Sequence, residues 1–145
     1  MENIISYKKD DFIITTDKDK VDINKVCMFL SKTYWAKDRK RDAIEKSIKN
    51  SLCISVFHND TQIGFARVIT DYITFAYLCD VYMDENYRGN GIGKTMLEFI
   101  VGHPELQGLK RFLLVTKDAH EFYKKIGFNK LDNPERVMEI LKQQI

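Results

Sequence analysis

Proline and cysteine are scarce in this chain, net charge is small, and no long apolar run occurs. Two prolines in 145 residues, with 44% hydrophobic and 30% charged residues, exclude a collagen-like or disordered chain. The length suits one domain, residues 1–145, able to bury a sizeable core. Cys27, Cys53 and Cys79 are odd in number, widely spaced and without a CxxC pair. That excludes a disulfide framework and a cysteine zinc site, and implies reduced thiols in the cytoplasm. No metal is expected. A formal net charge of +2 gives no reason to expect nucleic acid as a partner. The basic cluster "AKDRKR" at 36–41 reads as the solvated start of a helix, with an electrostatic patch as the alternative. No stretch approaches the ~20 apolar residues of a membrane helix, and "MENIISYKKDDF" lacks the basic-then-apolar order of a signal peptide. A soluble intracellular protein with no membrane partner is expected.

What is present is periodic. "IISY" and "FIITT" read as short strands. Ile23, Val26, Met28, Phe29 and Leu30 recur at helical spacing behind a candidate N-cap, Asp22, and "RDAIEKSIKNS" reads as a second helix after the connection "TYWAKD". "LCISVFHNDTQIGFARVITD" is two β-like runs about an Asn-Asp turn, hence a hairpin. "ITFAYLCDVYM" follows as a long strand, "GKTMLEFIVG" as a helix, "RFLLV" as a buried strand, "DAHEFYKKIGF" as a short helix and "VMEIL" as a last strand. The order ββ, αα, βββ, α, β, α, β predicts an α/β sheet with a parallel, right-handed strand-helix-strand unit inside it.

The stretch "YRGNGIGKT" decides between three phosphate loops. A Walker A loop needs a glycine five positions before Gly93, and that position is Arg88. A dinucleotide fingerprint beginning Gly89, Gly91 needs its third glycine at Lys94. Both fail. What stands is R-x-x-G-x-G, from Arg88, Gly91 and Gly93, between a strand and a helix. There a pyrophosphate meets unpaired amides and the positive end of the helix dipole, and glycines admit both the anion and positive φ. A plain glycine-rich turn is the alternative.

"VYMDENYRGNGIGK" is similar to the pyrophosphate motif of the GNAT superfamily of N-acetyltransferases, and "AHEFYKKIGF" resembles that family's later helix, with a tyrosine and a Gly-Phe ending. One helix and one strand separate the two motifs, as in the family. The resemblance implies a mixed, mostly antiparallel α/β (α+β) sheet flanked by helices, with parallel central strands that splay apart. It implies acetyl-CoA as donor cosubstrate, the backbone of Val81 and Met83 along its pantetheine arm, and the amides of Arg88, Gly89, Asn90, Gly91, Ile92, Gly93 and Lys94 on its pyrophosphate.

Acetyl transfer to an amine needs a neutral nucleophile, a donor for the developing oxyanion and a proton for the leaving thiolate. The Met83 N–H suits the oxyanion. Tyr123 suits the acid, on a helix expected to open with Asp118 as N-cap and Glu121 in a capping box and to stop at Gly127; packing beside Phe122 and Phe128, or merely orienting the sulfur, is its other reading. Asp80 is a carboxylate in an otherwise apolar strand, either the base or a structurally partnered group. Asp71 and His120 are weaker candidates for the base. In the resemblance, the connection carrying Tyr34 and Trp35 forms a wall of the acceptor pocket. Phe65, Tyr72 and Phe75 either join that aromatic lining or belong to the core, and Arg67 would favour an acceptor with a carboxylate or phosphate. The acceptor is expected to be a small primary amine; a protein or aminoacyl-tRNA amine, or a module that binds acetyl-CoA without turnover, are the alternatives. An edge strand at "VMEIL" would offer a route to a homodimer.

Overall fold

Alternation and turn residues place six strands in chain order across one sheet. The computed structural model describes residues 3–142, which divide into two compact units, Met1–Val115 and Thr116–Ile145. The first holds the sheet: β1 (Ser6–Lys9), β2 (Phe12–Thr15), β3 (Leu52–His58), β4 (Thr61–Thr70), β5 (Phe75–Met83) and β6 (Arg111–Leu114), in that spatial order. Neighbours are antiparallel except β5 and β6, which are parallel. Asp10 and Asn59, at φ 54° and 55°, turn the first and second hairpins in the left-handed region that Asp and Asn tolerate. The first strand starts at Ser6, later than "IISY" predicts, and leaves Ile4 exposed.

Helices α1 (Ile23–Ser31), α2 (Arg41–Lys49) and α3 (Ile92–Val101) complete this unit. The Asp22 carboxylate accepts from the Lys25 N–H at 3.1 Å, the expected cap. The periodic residues of α1 and α2, Val26, Phe29, Leu30, Ile44 and Ile48, share one buried cluster with Cys53 and Phe65 from the sheet and Tyr82 of β5. Removing one of the large members, as in Phe29→Ala, would cost about 3–5 kcal/mol. On α3, Ile92, Met96, Leu97 and Ile100 are buried, and Val101 is half-buried.

Two irregularities of β5 matter for function. Its register against β4 slips between the pairs Arg67–Cys79 and Phe65–Tyr82, so that Asp80 and Val81 oppose Ala66 alone, and Asp80 takes φ 52°. This is a β-bulge, the device by which a strand bends and redirects a side chain. The parallel pairing with β6 runs from Phe75–Arg111 only to Leu78–Leu114. Beyond Leu78, β5 continues to Met83 with no strand on that edge among the described residues.

In the second unit, α4 (His120–Ile126) ends at Gly127, whose φ of 121° stops the helix and whose N–H reaches the Lys124 and Tyr123 carbonyls. Its start differs from expectation: Ala119 takes the N-cap position in place of Asp118. The first helical bond is Tyr123 N–H to the Ala119 carbonyl, the Thr116 hydroxyl accepts from the Ala119 N–H at 3.1 Å, and Glu121 pairs with Lys124 rather than closing a capping box. The expected last strand is also absent. "VMEIL" has no ladder partner among the described residues, and Met138 is 92% exposed. An apolar run with β-branched residues is compatible with a strand, but a strand also needs a neighbour. The edge offered as a dimer surface disappears with it.

Candidate active site

The glycine loop begins where β5 ends. Gly89 and Gly91 take φ 83° and 87°, and Gly91 caps α3 without any side-chain partner. Asn90 Oδ1 accepts the Ile92 N–H at 3.1 Å, and the Thr95 N–H turns back to the Gly91 carbonyl at 3.0 Å. The first-turn amides of Gly93 and Lys94 therefore remain for an anion, at the positive end of the helix. Gly93 is telling: it is helical, with ordinary φ, and a Cβ built there would meet nothing within 4 Å. Packing gives no reason for a residue that costs about 1 kcal/mol against alanine in a helix. Close approach of a ligand does.

Arg88 does not point its Nε at that cradle. The Nε donates to the Met83 carbonyl at 2.9 Å, and the guanidinium lies 5.1 Å from the centroid of the Tyr82 ring, which stacks on Phe29 of α1. It braces the loop against the end of β5. On the other side the Tyr87 hydroxyl and His58 Nδ1 share a 2.7 Å hydrogen bond, and Phe12 stacks on the His58 ring at 4.7 Å. Phe12, His58 and Tyr87 are residues that sequence reasoning missed; they lie on three separate elements, and no spacing joins them.

The bulge puts Asp80 at the centre of a second cluster. Its residue exposure is 3%, and both carboxylate oxygens are engaged: Oδ1 by Trp35 Nε1 at 3.0 Å, Oδ2 by Arg39 Nη1 at 2.8 Å and Arg67 Nε at 2.9 Å. Arg67 Nη1 also donates to the Ser51 hydroxyl at 3.0 Å. The arginine side chains are only 13% and 11% exposed, whereas Trp35 retains 43%. Arg39 thus corrects the reading of 36–41 as a solvated run, since one of its cations faces inward. Next to this cluster burial pushes the Cys79 thiol up to about 11, against the opposing pull of Arg67. Among the described residues, no group of three or more His, Cys, Asp or Glu side chains could hold a metal ion.

The family model for the Acetyltransferase (GNAT) family matches residues 22–128, from the cap of α1 past the end of α4. The chain belongs to the GNAT acetyltransferase family. The protein named "Putative acetyltransferase FG08082" of Gibberella zeae is 30% identical over 146 residues, covering 84% of this chain and 81% of that protein. A GNAT-family crystal structure from Xanthomonas campestris pv. campestris is 38% identical, with TM-score 0.86 over 98% of this chain and 95% of its own. A GNAT family acetyltransferase of Elizabethkingia anophelis with acetyl-CoA bound shares the fold at 19% identity and TM-score 0.66, over 86% of this chain and 80% of its own. Of four further curated relatives this chain spans between 42% and 63% of their length.

In this GNAT acetyltransferase the mixed sheet is the one the resemblance implied, and the glycine loop lies between the end of β5 and the start of α3. The Asp84 N–H donates to the Ile63 carbonyl, so by ladder alternation the backbone of Met83 faces away from β4, toward the edge that β6 leaves open. Val81 lies in the bulge beside it. Tyr34 and Trp35 meet edge to face at 5.0 Å on the connection between α1 and α2. Phe65 is core, whereas Phe75 begins β5 half-exposed and Tyr72 turns the hairpin tip at φ 65°. Asp71 serves that tip: the Thr74 amide and hydroxyl and the Ile73 and Phe75 amides bond its carboxylate and hold it well below the usual carboxylate range. In the second unit Tyr123 packs edge to face with Phe122 and Phe128, at 5.2 and 6.0 Å, while His120 is exposed on the helix. Among the described residues no helix is long and apolar enough to cross a membrane.

Proposed function

We propose that this acetyltransferase moves the acetyl group of acetyl-CoA onto the primary amine of a small molecule, by direct attack within a ternary complex. The Gly93 cradle carries this reading, because an open helical glycine beside two positive-φ glycines is explained by an anion and not by packing. The amides of the 88–94 loop that are not already bonded, Gly93 and Lys94 in the first turn of α3 among them and Arg88 and Ile92 excepted, hold the pyrophosphate, and the backbone of Val81 and Met83 lines the pantetheine arm, with the Met83 N–H meeting the oxyanion. The amine nitrogen attacks the thioester carbon, the C–S bond breaks, and the thiolate takes the phenol proton of Tyr123. Tyr34 and Trp35 wall the acceptor. Asp80, with both oxygens occupied by cations and an indole, acts by position: it holds Trp35, Arg39 and Arg67 in place, and the amine proton leaves through water. The family match across 22–128 supports one acetyltransferase domain, and the three free thiols agree with work in the reducing cytoplasm.

The test is acetyl-CoA consumption across a panel of small amines, with Tyr123→Phe beside the parent chain. Turnover that falls about 100-fold in Tyr123→Phe, with CoA affinity unchanged, is expected. Tight CoA binding without turnover on any small amine would defeat the proposal, and transfer to histone-type peptides alone would move the acceptor to a macromolecule.

A further inference from the structure

The cluster around Asp80 has a charge and a donor inventory that its own members leave unbalanced. Two guanidinium cations meet one carboxylate, so it carries a net charge of +1 in a largely desolvated place. An arginine offers five N–H groups on three nitrogens. Arg39 uses Nη1 on Asp80, and Arg67 uses Nε on Asp80 and Nη1 on Ser51. Their remaining nitrogens, Nε and Nη2 of Arg39 and Nη2 of Arg67, have no acceptor among the described residues. Those nitrogens are not sealed either, because the one buried side-chain nitrogen or oxygen without a partner among the described residues is His103 Nε2. They open to solvent from side chains that are nine-tenths covered.

Trp35 is bonded to the same carboxylate as the two arginines. Its indole N–H is turned inward to Asp80 while 43% of the residue stays exposed, so a flat apolar wall stands beside the two guanidinium groups. Asp80 itself is two residues beyond Leu78, where the β5–β6 pairing ends. A net cationic pair with spare donors, an exposed aromatic on the same carboxylate and the end of the β5–β6 pairing thus occur together.

The geometry points to an acceptor that carries an anionic group beside its amine, received by the spare donors of Arg39 and Arg67, with Trp35 against its body. Guanidinium forks match carboxylate and phosphate oxygens alike, and either would neutralise the surplus charge. Asp80 alone cannot, because both of its oxygens are already shared. This inference rests on the small-amine reading above and names the class of molecule it applies to.

The test uses matched pairs, β-alanine with β-alaninamide and phosphoethanolamine with ethanolamine, on the full chain with acetyl-CoA. The expected result is a kcat/KM at least tenfold higher for the anionic member of a pair; which pair shows it separates carboxylate from phosphate. In Arg39→Gln the ratio of the anionic to the neutral member should fall toward one, whereas loss of a purely structural arginine would lower both members alike and leave the ratio unchanged. The only tryptophan of the chain, Trp35, supplies a readout without turnover, since its emission should respond to the anionic member at lower concentration. Equal rates within both pairs, or equal loss on both members in Arg39→Gln, would overturn the inference and leave the small-amine reading intact. A selective emission change without acetyl transfer would keep the anion site and defeat that reading. No transfer and no emission change with any of the four would defeat both.

Discussion

Trp35 Nε1 donates to Asp80 Oδ1 across 3.0 Å, and so ties the connection between α1 and α2 to the bulge of β5. Trp35→Phe keeps most of the ring and deletes the donor. A buried acceptor left with one partner fewer costs about 1–3 kcal/mol. Urea unfolding should show that loss, and kcat/KM for the acceptor should fall further than affinity for CoA.

Asp80→Ala leaves two guanidinium groups facing each other without their carboxylate. About 3–5 kcal/mol of stability should be lost, as for any broken buried ion pair. Asp80→Asn is the finer probe: it retains an oxygen for Trp35 and lacks a titrating carboxylate. The acid limb of its pH–rate profile should survive at reduced kcat. Disappearance of that limb would identify Asp80 as the base.

Gly91→Ala and Gly93→Ala should separate fold from ligand. At Gly91 the φ of 87° makes any side chain strained, by about 1 kcal/mol or more, even though space is open. At Gly93 the helix should gain up to about 1 kcal/mol. Affinity for CoA should nevertheless fall at least tenfold in Gly93→Ala, measured by calorimetry, because the new methyl stands where the anion approaches.

Cys79 gives the chain an alkaline weakness. Its thiol is raised from 9.0 to about 11 by burial, so the folded state holds a proton that the unfolded state releases first. The contribution is whole below pH 9 and is lost as pH rises to about 11, on the order of 2 kcal/mol. The difference in unfolding free energy between the parent chain and Cys79→Ala should shrink over that window. A constant difference would refute the assignment.

Local signals were legible and distant ones were not. The Asn59 turn, the Asp22 cap and the position of the glycine loop between a strand and a helix each follow from neighbouring residues, and each is found there. Arg39 sat inside a basic run and looked solvated; the partner that draws it inward, Asp80, lies 41 residues downstream. Asp80 stood out as a carboxylate in an apolar strand, and it is buried like Leu78 and Tyr82, but an aspartate gives no notice that it will adopt positive φ. "VMEIL" failed for a different reason: an apolar run was read as a strand, and among the described residues it has no neighbouring strand to pair with. At α4 the cap moved by one residue because the first backbone bond closed on Ala119 and not on the acidic neighbour.

The stretch of β5 from Cys79 to Met83 is an edge in the interior of a sheet. Exposed edges recruit any extended chain that reaches them, including another molecule of the same protein. With CoA along this stretch as proposed above, saturating CoA during purification should keep the protein monodisperse for longer than storage without it.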